Sequence, residues 1–573
     1  MTIFTYKDDD ALGQVASVDT ATVIVDVVDI ECLKRLQVNR LAILQSSKAG
    51  QHLIGLITQV IRKKTVEVDE KTGEQGEYNV CKISLVGTLL DKVGTQENVF
   101  RRTLESVPEI DANCFALEGE NLTRFMQVIS HSVDGDNALV IGKYTLDDAA
   151  DAYLNGNKFF QRHAFIGGST GSGKSWTTAK IIEQVAELRN ANAIILDLHG
   201  EYEPLSGDGI SHYKIAGPSD IEAARTLKNG IVYLPYWLLS YEALVSLFVD
   251  RSDQNAPNQA MIMAREVNNT KRKYLTDKKQ TQLLDNFTID SPVPFIIEDL
   301  LTKLNEINVE MVPGARAGTE KQGEFHGKLS RMISRLENKL SDRRLGFLFQ
   351  GGEDALQFDW LNRFSAALFG SSEERGGGGV KVINFSEVPS DILPLIVSLV
   401  ARVAFSIQQW TPIDLRHPVA LFCDEAHLYL PTRSMADATD DISIQIFERI
   451  AKEGRKYGTS LVVISQRPSE VNKTILSQCS NFVAMRLTNA DDQSVIKKLL
   501  PDSLGGFSDI LPTLDTGEAL IVGDASLLPS RIRVGEPNNK PNSGTVDFWS
   551  VWHADVAGGR LDAAIDNWRK QNI

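Results

Sequence analysis

Four short segments of the chain carry residue types suited to handling a nucleoside triphosphate. Gly168-Ser169-Thr170-Gly171-Ser172-Gly173-Lys174-Ser175 fits G-x-x-x-x-G-K-[ST] at every position. Glycines there let backbone N–H groups turn inward around phosphate oxygens, and a following helix start adds favourable partial charge. In that frame Lys174 reaches the β- and γ-phosphates and the Ser175 hydroxyl ligates Mg²⁺. Gly168, Thr170, Gly171, Ser172, Gly173 and Trp176 complete an ATP-binding cradle. The second segment, Leu421-Phe422-Cys423-Asp424-Glu425, ends an apolar run with two acids. Asp424 would hold Mg²⁺, and Glu425 would orient and polarise the attacking water as a base. A strand ending in a solvated acidic turn is common by itself; the phosphate loop in the same chain favours the chemical reading.

The other two segments each admit two readings. Gln466 follows the apolar run Val462-Val463-Ile464-Ser465. A neutral amide there can sense the γ-phosphate or position the water, provided that this strand lies beside the phosphate-loop strand; otherwise it is a surface residue. Arg455 lies in Glu453-Gly454-Arg455-Lys456-Tyr457-Gly458. A guanidinium can neutralise charge on a transferring phosphoryl group. From the far end of a helix it would serve a neighbouring subunit's site. A cation favourably placed at a helix C-terminus accounts for it equally well.

These segments need a scaffold, and the patterning predicts an α/β one. His163-Ala164-Phe165-Ile166 reads as a strand, the glycine loop follows, and a helix runs from Ser175 to Arg189. Apolar runs recur at Ala193–Leu198, Lys381–Phe385, Val419–Asp424, Ser460–Ser465, Phe482–Met485 and Glu518–Val522. Strand–helix–strand order with continuously apolar strands marks a parallel sheet buried on both faces. Helical periodicity and many charges over 221–345 predict an inserted helical subdomain. The first hundred residues instead alternate in short β-branched runs, which predicts a small β-barrel. Its charged stretch Lys63–Tyr78 reads as a hairpin tip. The expected organisation is a barrel over 1–105, a connector over 106–154, a core over 155–537 and a tail over 538–573 with a short amphipathic helix near 559–570.

Composition narrows the function classes. At 573 residues the chain is too long for one core, and its 42 % hydrophobic and 24 % charged residues are ordinary for a globular protein. The five cysteines lack any metal or disulfide spacing and read as buried thiols. No run of about eighteen apolar residues suggests a membrane span, and the N-terminus lacks the pattern of a leader, so a cytoplasmic location is expected. A net charge of −15 argues against coating nucleic acid with the outer surface. It leaves room for a locally basic channel.

Taken together, the motifs resemble the HerA branch of the HerA/FtsK ATPases. The resemblance rests on Arg162–Gly168 running into Thr170–Ser175, Asp197-Leu198-His199-Gly200-Glu201-Tyr202, Asp424-Glu425-Ala426-His427, Glu453–Gly458 and Ser465-Gln466-Arg467-Pro468. It spans residues 155 to about 535, and Pro529–Val534 looks like the family's C-terminal brace. It implies a RecA-like core, with the N-terminal region as the family's small barrel. The assembly implied is a homo-hexameric ring that pumps or unwinds double-stranded DNA beside a nuclease or NAD-consuming effector, as in antiphage defence. By the same carry-over Arg455 becomes the finger acting in trans, Gln466 the sensor, Asp197 a further active-site acid and Arg162 a second arginine near the phosphates. For contact with DNA, Arg331, Arg335, Arg343, Arg344 and the segment Thr432-Arg433-Ser434 qualify by charge; solvation of a helix surface explains the first four as well. A conjugation- or secretion-type motor and an ATP-regulated ring scaffold are the competing functions.

Overall fold

The computed structural model describes residues 3–570 apart from 5, 28, 30, 31, 33–35, 37, 39, 69–74, 132–137, 146, 317, 437, 500–508, 545 and 555–557. The chain divides into two units. The first comprises residues 1–184, 465–469 and 477–538, the second 185–464, 470–476 and 539–573.

The first unit opens with the expected barrel. Strands Gly13–Asp19, Thr22–Asp26, Leu41–Gln45, Gln51–Val68, Gln75–Val93 and Asn113–Ala116 pair in a closed ring, and Gln96–Arg101 extends it at one side. Closure is made by Thr22–Asp26 lying antiparallel on the long strand, from Thr22 opposite Ser84 to Asp26 opposite Val80. Inward-facing Val15, Val23, Val25, Leu44, Leu53 and Ile83 fill it, the alternation that a barrel one side chain deep requires. The segment read as a hairpin tip is mostly strand, through Val68 and again from Gln75; residues 69–74 lie outside the described residues. The rest of this unit is a mixed sheet. Ala164–Gly167 pairs parallel with Asn481–Met485, followed by antiparallel Glu518–Gly523, Ser530–Val534, Ala138–Tyr144 and Asp147–Asn155.

The second unit holds six parallel strands in the order Ile231–Val232, Ile210–Ile215, Val380–Asn384, Ala193–Asp197, Val419–Cys423 and Thr459–Ser465, the last residue of which belongs to the first unit. The four apolar runs were expected. The Ile210–Ile215 and Ile231–Val232 strands were not, because one is half-buried and the other has two residues. The inserted helices are Tyr241–Phe248, Ala256–Asp277, Ile297–Val309 and Ser330–Ser341, joined by a small hairpin of Met311–Pro313 and Glu320–Gln322. Within them Lys271 is buried, its ammonium donating to the carbonyls of Ile289 and Ser291 at 2.7 Å each, and burial pushes its pKa down to about 8.

The helix Leu393–Trp410 is long and apolar enough to cross a membrane, yet 67 % of it is buried within the protein. It packs on the helix Ala438–Tyr457, with the Phe405 and Tyr457 rings 5.6 Å apart. All five cysteines are buried thiols. In the tail, Arg560–Lys570 is helical where expected, and Phe548–His553 forms a further short helix.

The turn joining Ala438–Tyr457 to Thr459–Ser465 explains two residues of the Glu453–Gly458 segment. Gly458 has φ 72°, in the left-handed region that favours glycine. A methyl group at Gly454 would overlap the Thr459 carbonyl oxygen. Gly454→Ala should therefore destabilise the fold by about 1–3 kcal/mol, read as a lower thermal unfolding midpoint. An unchanged midpoint would mean that the helix moves aside at no cost.

Candidate active site

In the first unit the chain leaves the strand Ala164–Gly167 and enters the helix Lys174–Ala186 through residues 168–173. Gly171 (φ 72°) and Gly173 (φ 109°) turn where side chains rarely go. A Cβ at Gly168 would lie 2.8 Å from Met485 Cβ, and one at Gly173 would lie 2.9 Å from Met485 Cε. The loop thus sits on the neighbouring strand only because it lacks those side chains. Backbone bonds fix its path. Gly168 N–H donates to Ser465 at 3.4 Å, Ser169 N–H to Arg486 at 2.8 Å, and Gly517 N–H to Ser172 at 2.9 Å. Lys174 is buried, its ammonium 3.4 Å from the Ser169 carbonyl. Ser172 is fully buried, and its hydroxyl has no hydrogen-bond partner among the described residues. Ser175 and Trp176 are half-buried in the first turn of the helix. The Thr170 hydroxyl donates to Gln466 Oε1 at 2.7 Å, which puts Gln466 on the rim of the loop.

In the second unit the strand Val419–Cys423 delivers the acidic pair. Asp424 is buried, and its Oδ2 accepts no hydrogen bond among the described residues. Burial pushes its pKa well up, and the nearby charges of Glu425, Glu201 and Asp197 push further. Glu425 stands in the left-handed region, at φ 41° and ψ 46°. This conformation costs a residue with a Cβ about 1–2 kcal/mol. It is held by the turn: the Glu425 carbonyl accepts the Leu428 N–H at 2.9 Å, and Glu425 Oε2 lies 3.2 Å from His427 Nδ1.

Asp197, expected as a further active-site acid, lies among the charges that act on Asp424. Its two oxygens accept the backbone N–H groups of His199, Gly200, Glu201 and Tyr202 at 3.3, 2.8, 3.0 and 3.0 Å. Burial pushes its pKa up against the pull of those four amides. Asp197 therefore anchors a turn, and the turn presents Glu201 to the acid cluster. Glu201 and His427 stood within the quoted motifs without an assigned role, since only the folded turn shows what they face.

Arg455 occupies the last turn of Ala438–Tyr457 and is exposed, with no hydrogen bond or ion pair among the described residues. Arg162 pairs instead with Asp524, at the end of the Ala164–Gly167 strand opposite the phosphate loop. This removes it from the phosphates of its own chain. The arginines considered for DNA contact are ion-paired within the second unit. Arg331 meets Asp253 at 4.0 Å, Arg335 meets Asp250 at 3.8 Å, Arg344 meets Asp342 at 2.8 Å, and Arg343 contacts Glu222. Arg433 pairs with Glu448 at 3.0 Å.

Comparison with known proteins places this geometry. Residues 139–404 match the family described as "Helicase HerA, central domain". The "DNA double-strand break repair helicase HerA" of Sulfolobus acidocaldarius is 25 % identical over 409 residues, covering 69 % of this chain and 71 % of that protein. Its namesake from Pyrococcus furiosus is 25 % identical over 491 residues, covering 79 % and 78 %. Among solved structures, VirB4 of Thermoanaerobacter pseudethanolicus aligns with a TM-score of 0.46 and 17 % identity over 70 % of this chain and 97 % of that one.

The buried acid cluster makes stability depend on pH with a definite sign. A carboxyl whose folded pKa lies above its unfolded value favours the fold at low pH and loses that contribution as pH rises through the folded pKa. Asp424→Asn removes the term. In nucleotide- and metal-free protein it should raise the unfolding midpoint by a few degrees at alkaline pH, the gain shrinking as pH falls towards the ordinary carboxylate range. Thermal melts across pH check this. A gain that grows on acidification would show that Asp424 is charged and satisfied in the fold.

Proposed function

We propose that this chain, whose residues 139–404 match the HerA central domain, is an ATP-driven motor of that family that translocates along or unwinds double-stranded DNA as a ring of six copies. The observation that carries the reading is the buried Asp424 carboxyl, whose Oδ2 accepts no hydrogen bond among the described residues, in a chain that also packs a glycine loop around a buried lysine. Burying an acid without a partner is costly, and a cation offsets that cost. Each unit brings groups of the kind a magnesium-bound triphosphate takes: in the first a glycine cradle of backbone amides, one ammonium and one hydroxyl, in the second carboxylates. When bound, ATP supplies the anhydride to be cleaved and Mg²⁺ neutralises its charge.

The chain's residues then divide the work. Gly168, Thr170, Gly171, Ser172, Gly173 and Trp176 shape the cradle, and Lys174 balances phosphate charge. Ser175 and Asp424 are the metal-side oxygens. Glu425 takes the proton of the attacking water, with His427 steadying its carboxylate. Gln466, held by Thr170, reports on the terminal phosphate. Asp197 sets the turn that carries Glu201. Arg455, without an ion pair among the described residues, reaches a neighbour's site. A nuclease or NAD-consuming effector is the working partner that the family resemblance suggests, with antiphage defence as the setting.

Substituting one residue on each side of the chemistry separates these roles. Lys174→Ala should abolish nucleotide binding, read with a fluorescent ATP analogue. Glu425→Ala should bind as the wild type does and lose about 10²–10⁴ in turnover. Equal loss of binding in both would remove the base role from Glu425.

Travel over any sequence requires contacts to the DNA backbone, which fix position without reading bases. Affinity for duplex DNA should therefore fall with salt at a log–log slope of about −0.9 per neutralised phosphate. ATPase stimulation should be the same for random and defined duplexes. A flat salt response or stimulation by one sequence alone would count against a translocating motor.

A further inference from the structure

Between the helix Leu393–Trp410 and the strand Val419–Cys423, the second unit carries a short turn, Ile413–Leu415. Its side chains stand in water: Trp410 is 85 % exposed, Ile413 83 % and Leu415 70 %. A large aromatic beside two aliphatics at that exposure is unusual for a surface that stays bare. The turn is also held in place. Arg416 donates from Nε to the Gln408 carbonyl at 3.1 Å, from Nη2 to the Thr411 carbonyl at 2.9 Å and from Nη1 to the Lys456 carbonyl at 3.1 Å. Its guanidinium carbon lies 5.3 Å from the Tyr457 ring centroid. One side chain thus ties the apolar knob to the last turn of Ala438–Tyr457, the turn that carries Arg455.

The geometry points to this knob as an anchor of the contact between adjacent copies of the chain, seated on the copy whose nucleotide site Arg455 enters. The inference rests on the proposal that Arg455 acts in trans. If Arg455 reaches into a neighbour, the helix end that carries it lies at the contact with that neighbour, and Arg416 ties the knob to that end. Charge agrees with this choice of occupant. Arg449 is paired with Glu453 at 3.5 Å, but Arg455, Lys456 and Arg416 outnumber Asp414 at the knob's edge, which is locally basic whereas the chain as a whole carries −15. A second copy therefore offers a complementary field. An exposed tryptophan on a preordered loop also loses little freedom on docking, which is how a few residues come to dominate an interface.

The test uses Trp410→Ser with Ile413→Asp, both at exposed positions whose change leaves the core alone. Sedimentation over a range of protein concentrations should show the midpoint of ring dissociation raised about thirtyfold or more. Turnover per chain should fall at low concentration and recover at high concentration. Arg455→Ala is the comparator: its rings should persist with little turnover at any concentration, and mixing with Lys174→Ala should restore part of it. A second measurement needs no destabilised variant. Ile413→Cys, the one accessible thiol since all five native cysteines are buried, is labelled with a maleimide photocrosslinker. Crosslinks to residues flanking the phosphate loop of a second copy are expected. Wild-type-like dissociation of the double variant, or crosslinks confined to its own chain, would overturn the inference while the ring stands. An active wild-type monomer would overturn the ring reading and the inference together.

Discussion

A carboxyl buried beside three others sets the terms for the second unit. Asp424 sits under the opposing fields of Glu425, Glu201 and Asp197, and burial and charge both press it towards neutrality. Such a site exists only if its cost is offset elsewhere, here by six parallel strands of which Ala193–Asp197, Val419–Cys423 and Thr459–Ser465 are buried along their whole length. The parallel arrangement matters as much as the burial. Ala193–Asp197 and Val419–Cys423 run side by side in the same direction, so their C-terminal ends, and the acids just beyond them, open at one edge of the sheet. An antiparallel neighbour would have sent one of the two acids to the opposite edge.

Much of this was legible from the sequence, for reasons that differ by element. The phosphate loop is a local device: its glycines, lysine and serine act within eight consecutive positions, so spacing alone identifies it. The buried strands announce themselves as unbroken apolar runs, because both faces are covered. Ile210–Ile215 escaped because its residues are half-buried and mixed in character. The hairpin of Ala138–Tyr144 and Asp147–Asn155 lies in what reads as a connector, and its strands mix buried with exposed positions. Roles that depend on where a turn points were beyond spacing. Spacing does not show the four amides that Asp197 accepts, nor the Asp524 that pairs with Arg162.

The arginines of the helical insertion carry a related lesson. By charge density they form a plausible surface for a polyanion. In the fold each has an acid within reach, and most of these pairs are solvent-exposed, where they contribute little to stability. Their effect is on the field: local pairing cancels the basic stripe that a count of residues suggests. In a chain of net charge −15, a cation contributes fully to the local field only where no acid pairs with it, and Arg455 has no such acid among the described residues.

Position 425 places two demands on one residue that no amino acid meets together. Its backbone lies in a region comfortable for glycine and tolerable for asparagine or aspartate, yet the base role proposed for it calls for the longer reach of a glutamate side chain. Such a conflict is stable only while selection for turnover lasts. In a lineage where a descendant ring served purely as a platform, that selection would lapse, and drift at this codon would run downhill towards glycine or asparagine with the sheet intact. A related ring that only organised a platform would therefore be expected to carry, at this position, a residue that the left-handed backbone prefers.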